Sequence, residues 1–182
     1  MSCAETGENM AIDDGLEGST APIRISLVPD RTERVIGWAA LAMLVVVATA
    51  LLRGSAQWER LPWQVWAHLA TMMIALGLTP QILWNRRGDR RHRQLGYVWV
   101  GSMVITALIS LDIRLSNRGG FSLVHILSIW TLVQLPIIVW SARQHNHNRH
   151  RSAVRGMAIG ALLIAGLFTF PFGRLLGQWL FG

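Results

Sequence analysis

The chain has 182 residues, of which 52% are hydrophobic and 15% charged, and its formal net charge is +7. An average soluble domain has roughly a quarter charged residues, so this apolar surplus, gathered in long runs, excludes an ordinary water-soluble core and indicates a membrane protein. All 17 cationic side chains are arginine, and they flank the apolar runs, which assigns them to lipid headgroups and topology and not to nucleic acid.

Residues 1–33 form a polar tail bearing Glu5, Glu8, Asp13, Asp14 and Glu17. It lacks the early basic region of a cleavable signal peptide, so a disordered cytoplasmic segment is expected. Cys3 is the only cysteine, which excludes a disulfide framework or thiolate metal site within one chain. A spanning helix needs about 20 mostly apolar residues, and backbone groups in lipid must be paired, so helices are predicted wherever such runs occur. They occur at 34–53, 63–84, 95–113, 121–142 and 153–170. The fold class is therefore an all-α membrane protein with five transmembrane helices. Pro171 and Gly173 end the last run, and residues 172–182 are too short to span. An interfacial tail is expected there, with Trp179 and Phe181 among the headgroups.

Arginine asymmetry sets the orientation. With the N-terminus inside, the inner segments hold twelve arginines, from Arg24, Arg31 and Arg34 through Arg86, Arg87, Arg90, Arg91 and Arg93 to Arg143, Arg149, Arg151 and Arg155. The outer segments hold five: Arg53, Arg60, Arg114, Arg118 and Arg174. The expected topology is N-in/C-out in a bacterial cytoplasmic membrane.

The second and fourth runs resemble each other. "HLATMMIALGLTPQILW" and "HILSIWTLVQLPIIVW" each open on histidine, His68 and His125, and each reaches a proline and then a tryptophan four residues later. A basic loop ending in His-Arg follows each, at His92-Arg93 and His150-Arg151. The simplest account is a tandem repeat of helical hairpins, with helices 2–5 forming a four-helix bundle. The repeat puts His68 and His125 near one membrane face and His92 and His150 near the other. Two readings follow. All four are structural histidines, at loop edges or helix starts, where Ser122 is a plausible N-cap before His125. Alternatively each pair ligates a haem b iron from both sides, making two bis-histidine sites and an electron path across the bilayer. Arg91, Arg93, Arg149 and Arg151 are then candidate propionate partners. No other metal is indicated.

The order of these histidines over helices two to five resembles the b561-type transmembrane cytochromes, in ligand order and topology only. His92 and His150 sit at a loop edge, where that family's ligands lie within helices. A closer resemblance covers roughly residues 60–176. "RHRQLGYVWV", "FSLVHILSIWTLV", "HRSAVRGM" and "AGLFTFPFGRLLG" look like the uncharacterised bacterial membrane family DUF2306. Its recurring positions fall here on His68, His92, Gly96, Tyr97, Phe121, Ser122, His125, His150, Arg151 and Met157; the family's ending carries one extra residue in "PFGR". The resemblance implies a small multi-pass bacterial membrane protein without an established activity.

Pro80 and Pro136 are expected to kink or end their helices. "GMAIG" fits close helix packing, and Trp58, Trp63, Trp66, Trp84, Tyr97 and Trp99 read as interface belts. Asp112 reads as a hydrated carboxylate at a helix end. Besides electron transfer, the sequence leaves open a structural or accessory subunit, an anionic-lipid-binding protein and a small transporter. A membrane-protein partner or homo-oligomer is compatible with each.

Overall fold

The computed structural model describes residues 29–85, 88–112, 123–171 and 173–182. The expectations placed on residues 1–28 and on Arg86, Arg87, Ile113, Arg114, Arg118, Phe121 and Ser122 lie outside the described residues.

Helix α1, Arg31–Arg53, starts on a capping box. The Asp30 carboxylate accepts the Glu33 N–H at 2.9 Å, and Glu33 accepts the Asp30 N–H at 3.2 Å. Two otherwise orphaned donors are thereby satisfied immediately before the apolar run. A 3₁₀ turn, Ser55–Arg60, leads into α2, Trp63–Trp84. Then come α3, Arg90–Asp112, and α4, Leu123–Arg143. Helix α5, His147–Met157, passes into a π-helical stretch, Ala158–Ile164, and a last turn α6, Ala165–Leu167. Helix α7 is Leu175–Phe181. No strand occurs among the described residues.

The third and fifth helical segments begin more than a turn before their apolar runs. Asp89 accepts the His92 N–H at 2.6 Å, and Asn146 accepts the Arg149 N–H at 3.1 Å. These caps start the helices in the basic loops, where exposed arginines remain in polar surroundings. His92 and His150 therefore sit in first helical turns. Both α2 and α4 continue through their prolines, Pro80 and Pro136.

Helix α1 packs on α2, α2 on α3, α3 on α4 and α4 on α5, so both expected hairpins, α2–α3 and α4–α5, are packed pairs. The π stretch returns to α1 and α2 and closes the bundle. Ala40, Leu76, Met103, Leu135, Met157 and Leu162 are buried at its centre. The outward faces expose Val45, Ile74, Ile105, Ile129, Val133 and Ile164. Water penalises such a surface, whereas lipid tails match it. Helices α1, α2, α3 and α4 are each long and apolar enough to cross a membrane. The protein is a helical bundle suited to a bilayer.

Helix α7 lies against the end of α1. Gly54 has no side chain to hold Trp179 off, and the Trp179 indole donates to Gln57 Oε1 at 3.0 Å. Arg53 donates to the Leu180 carbonyl at 2.7 Å. Trp179 is thus buried in the protein, while Phe181 stays exposed. Trp99 is also buried, at 2% exposure, and is not a belt residue. Trp38 with Trp84, and Trp58 with Trp66, form ring pairs at centroid separations of 5.2 and 5.1 Å.

Candidate functional site

The first turns of α3 and α5 bring His92 and His150 to one end of the bundle, the basic end, where α1 also begins. Both line a cavity of about 430 Å³ between α3, α4 and α5. Its apolar lining includes Ile82, Val100, Ile138, Val154 and Trp99. Arg93, Arg143, His145 and His147 supply polar lining.

The His150 ring is oriented by its surroundings. Nδ1 lies 3.0 Å from the Ile138 carbonyl of α4. A carbonyl only accepts, so Nδ1 carries the proton and donates, which puts the neutral ring's lone pair on Nε2. The same carbonyl accepts from Ser141 Oγ at 3.0 Å.

Beside the histidines is a buried charge that the sequence analysis did not single out. Glu33 is 1% exposed. Arg151 grips it with two hydrogen bonds, Nε to Oε1 at 2.7 Å and an Nη2 donation to Oε2 at 3.1 Å. Arg155 adds Nε to Oε1 at 3.2 Å, and both arginines also reach Asp30. Two carboxylates and two guanidiniums thus tie the start of α1 to α5. The backbone N–H of Glu33 holds the Asp30 carboxyl below its ordinary value; burial opposes this, and the Arg155 and Arg151 guanidiniums add to the lowering. Glu33 in turn strengthens the hold of Arg151 on its proton. A second, small cavity of about 20 Å³ is lined jointly by Glu33, His92, His150 and Arg151. It has room for about one water. Signals for this cluster were present: Asp30 and Glu33 have capping-box spacing, and Arg151 and Arg155 share a helix face at i,i+4.

The other candidate residues are distributed differently. Arg151 is committed to Glu33 and Asp30. Arg149 lies over the Trp140 ring, 5.5 Å from its centroid, and Arg91 is exposed away from the cavity. Of the four proposed propionate partners, Arg93 and Arg151 line the cavity.

At the opposite end, His68 and His125 occupy early turns of α2 and α4. The His68 ring turns to α3, with Nδ1 3.0 Å from Ser110 Oγ. His125 is buried on α4. Asp112, at the end of α3, is exposed. Among the described residues, no group of three or more His, Cys, Asp or Glu side chains is arranged to hold a bare metal ion.

The chain matches no protein-family model, and neither a curated protein nor a solved structure is similar to it.

Proposed function

We propose that this is a five-span, N-in/C-out protein of a bacterial cytoplasmic membrane that carries electrons through haem b, held at the inner, basic end between His92 and His150. The observation that carries this reading is that the two imidazoles, brought from different hairpins, line one cavity. Its volume of about 430 Å³ falls within the range of cofactor sites, roughly 300–1,000 Å³. The donor set fits the group. A ligating histidine typically donates its second ring N–H to a backbone carbonyl or carboxylate, as His150 does to Ile138. The apolar lining offers contact for a flat macrocycle, and Arg93 supplies a cation for an anionic substituent. Bound haem would supply a one-electron couple. The Ile138 carbonyl orients the His150 imidazole, and Arg93 would balance charge.

The second half of the reading is a haem at the outer end on His68 and His125. Its support is the repeat and the burial of His125. The order of the four histidines, resembling b561-type cytochromes, supports the same assignment.

An absorption spectrum of the detergent-purified protein, before and after dithionite, tests it. We expect a Soret band that shifts to longer wavelength on reduction. His92→Ala or His150→Ala should remove the inner haem's share, and His68→Ala the outer one's. No Soret band after expression with ample haem would sink the proposal.

One observation favours a second reading, an anionic-lipid-binding or accessory subunit: Arg90, Arg91, Arg143 and Arg149 are all exposed at the basic end. Under it, replacing Arg86, Arg87, Arg90 and Arg91 weakens association with anionic vesicles, while histidine substitutions matter little.

A further inference from the structure

We propose that the buried seam between α2 and α3 is a proton path across the bundle, from His68 at one end to the Glu33–His92–His150 cluster at the other. The inference goes beyond electron transfer and does not depend on a haem.

Polar side chains recur on the buried faces at about one per helical turn. On α3 these are Ser102, Thr106 and Ser110, each 7% exposed. Facing them on α2 are His68, Thr71 and Thr79. Three cross-helix hydrogen bonds stitch the seam: His68 Nδ1 with Ser110 Oγ at 3.0 Å, Thr106 Oγ1 to Thr71 Oγ1 at 2.7 Å, and Trp99 Nε1 to Thr79 Oγ1 at 3.1 Å. Ser102 falls in the interval between the last two. Trp99 also lines the 430 Å³ cavity, so the seam reaches the basic-end cavity. Helix α4 adds His125, Ser128 and Thr131 on its own buried face.

Length and chemistry agree. From Ser110 to His92 is eighteen residues along α3, about 27 Å at 1.5 Å per residue, close to the roughly 30 Å of a hydrocarbon core. Polar groups at such depth are costly and commonly mark ion or proton routes. A hydroxyl both donates and accepts, so it passes on a proton by taking one from one side and releasing its own to the other. An indole only donates, so the relay passes Trp99 by way of the Thr79 and Ser102 hydroxyls; their protons rest on the Ala75 and Val98 carbonyls, so the relay needs those hydroxyls to rotate and water to bridge from one cross-helix pair to the next. Imidazoles stand at both termini, and Glu33 lies beside the inner pair. Each passage moves one proton from water on one face to water on the other, and a counter-ion must balance its charge.

The rival account is packing alone, since Ser and Thr also bond their own helix carbonyls and hold helices together. The test is proton flux in proteoliposomes that contain a pH dye, driven by a potassium gradient with valinomycin. Wild type should acidify the lumen well above protein-free vesicles. The double variant Thr71→Val/Thr106→Val keeps shape but removes both hydroxyls, and should return the flux to the protein-free leak. Thr106→Ser restores a hydroxyl and should retain flux, which separates relay from misfolding. Wild-type flux equal to empty vesicles, or full flux in the double variant, would overturn the proposal. A Soret band without flux defeats the proton path alone, and flux without a Soret band defeats the haem reading alone.

Discussion

Glu33 is the residue on which the basic end depends. A charged carboxylate at 1% exposure contributes stability only if its partners satisfy it, and Arg151 and Arg155 do so through hydrogen-bonded ion pairs. Breaking a dry pair costs roughly 3–5 kcal/mol, but both guanidiniums are 24% exposed, so Glu33→Gln should cost nearer ~2 kcal/mol in a detergent unfolding experiment. Asp30 adds an acid-sensitive contribution. Its folded carboxyl titrates below its ordinary value near 3.8, so the stability it confers is complete above that value and disappears as pH falls through the lower folded one. Melting profiles of wild type should therefore drop below about pH 4 more steeply than those of Asp30→Asn. This cluster was only partly legible in the sequence. Asp30 and Glu33 announce a helix start, but nothing local says that the second carboxylate is buried, because its burial comes from arginines more than a hundred positions away. The repeat names His92 and His150, and both line one cavity.

At the scale of elements, the apolar runs located the helices and missed where two begin. Hydropathy stops at the hydrocarbon edge, whereas helix geometry continues until a cap ends it, so Asp89 and Asn146 fix the starts of α3 and α5. That difference moves His92 and His150 from loop edges into ordered turns. The fate of the last residues was less readable, since α7 docks through tertiary contact. A methyl at Gly177 would collide with the Phe170 carbonyl, a backbone atom that side-chain motion cannot relieve. Gly177→Ala should displace α7 from α1, cost about 1–3 kcal/mol, and expose the segment to protease in detergent. Gly160, in the small-residue motif, admits the Trp130 ring, while a Cβ at Gly156 would meet nothing.

For the molecule as a whole, the bundle and its apolar exterior followed from composition, because a chain this poor in charge has few alternatives to burying or immersing its helices. The orientation across the membrane is a separate matter of arginine distribution. With Cys3 as its single thiol, the protein supplies its own probe: an impermeant maleimide applied to intact spheroplasts should leave Cys3 unlabelled, and should label Gly182→Cys in a Cys3→Ser background. The reverse pattern would invert the topology. One further consequence resides in the π-helical stretch, Ala158–Ile164. Such a stretch carries a residue in excess of regular α winding, and each residue of an α-helix turns the chain by about 100°. Excising a single amino acid there would remove that excess and leave a smoother rod whose two halves keep their shared azimuth. The same excision from the regular turns of α5 would instead swing Arg151 and His150 aside relative to Leu162 and Gly166, so the π stretch can absorb the loss of a residue where its α-helical flank cannot.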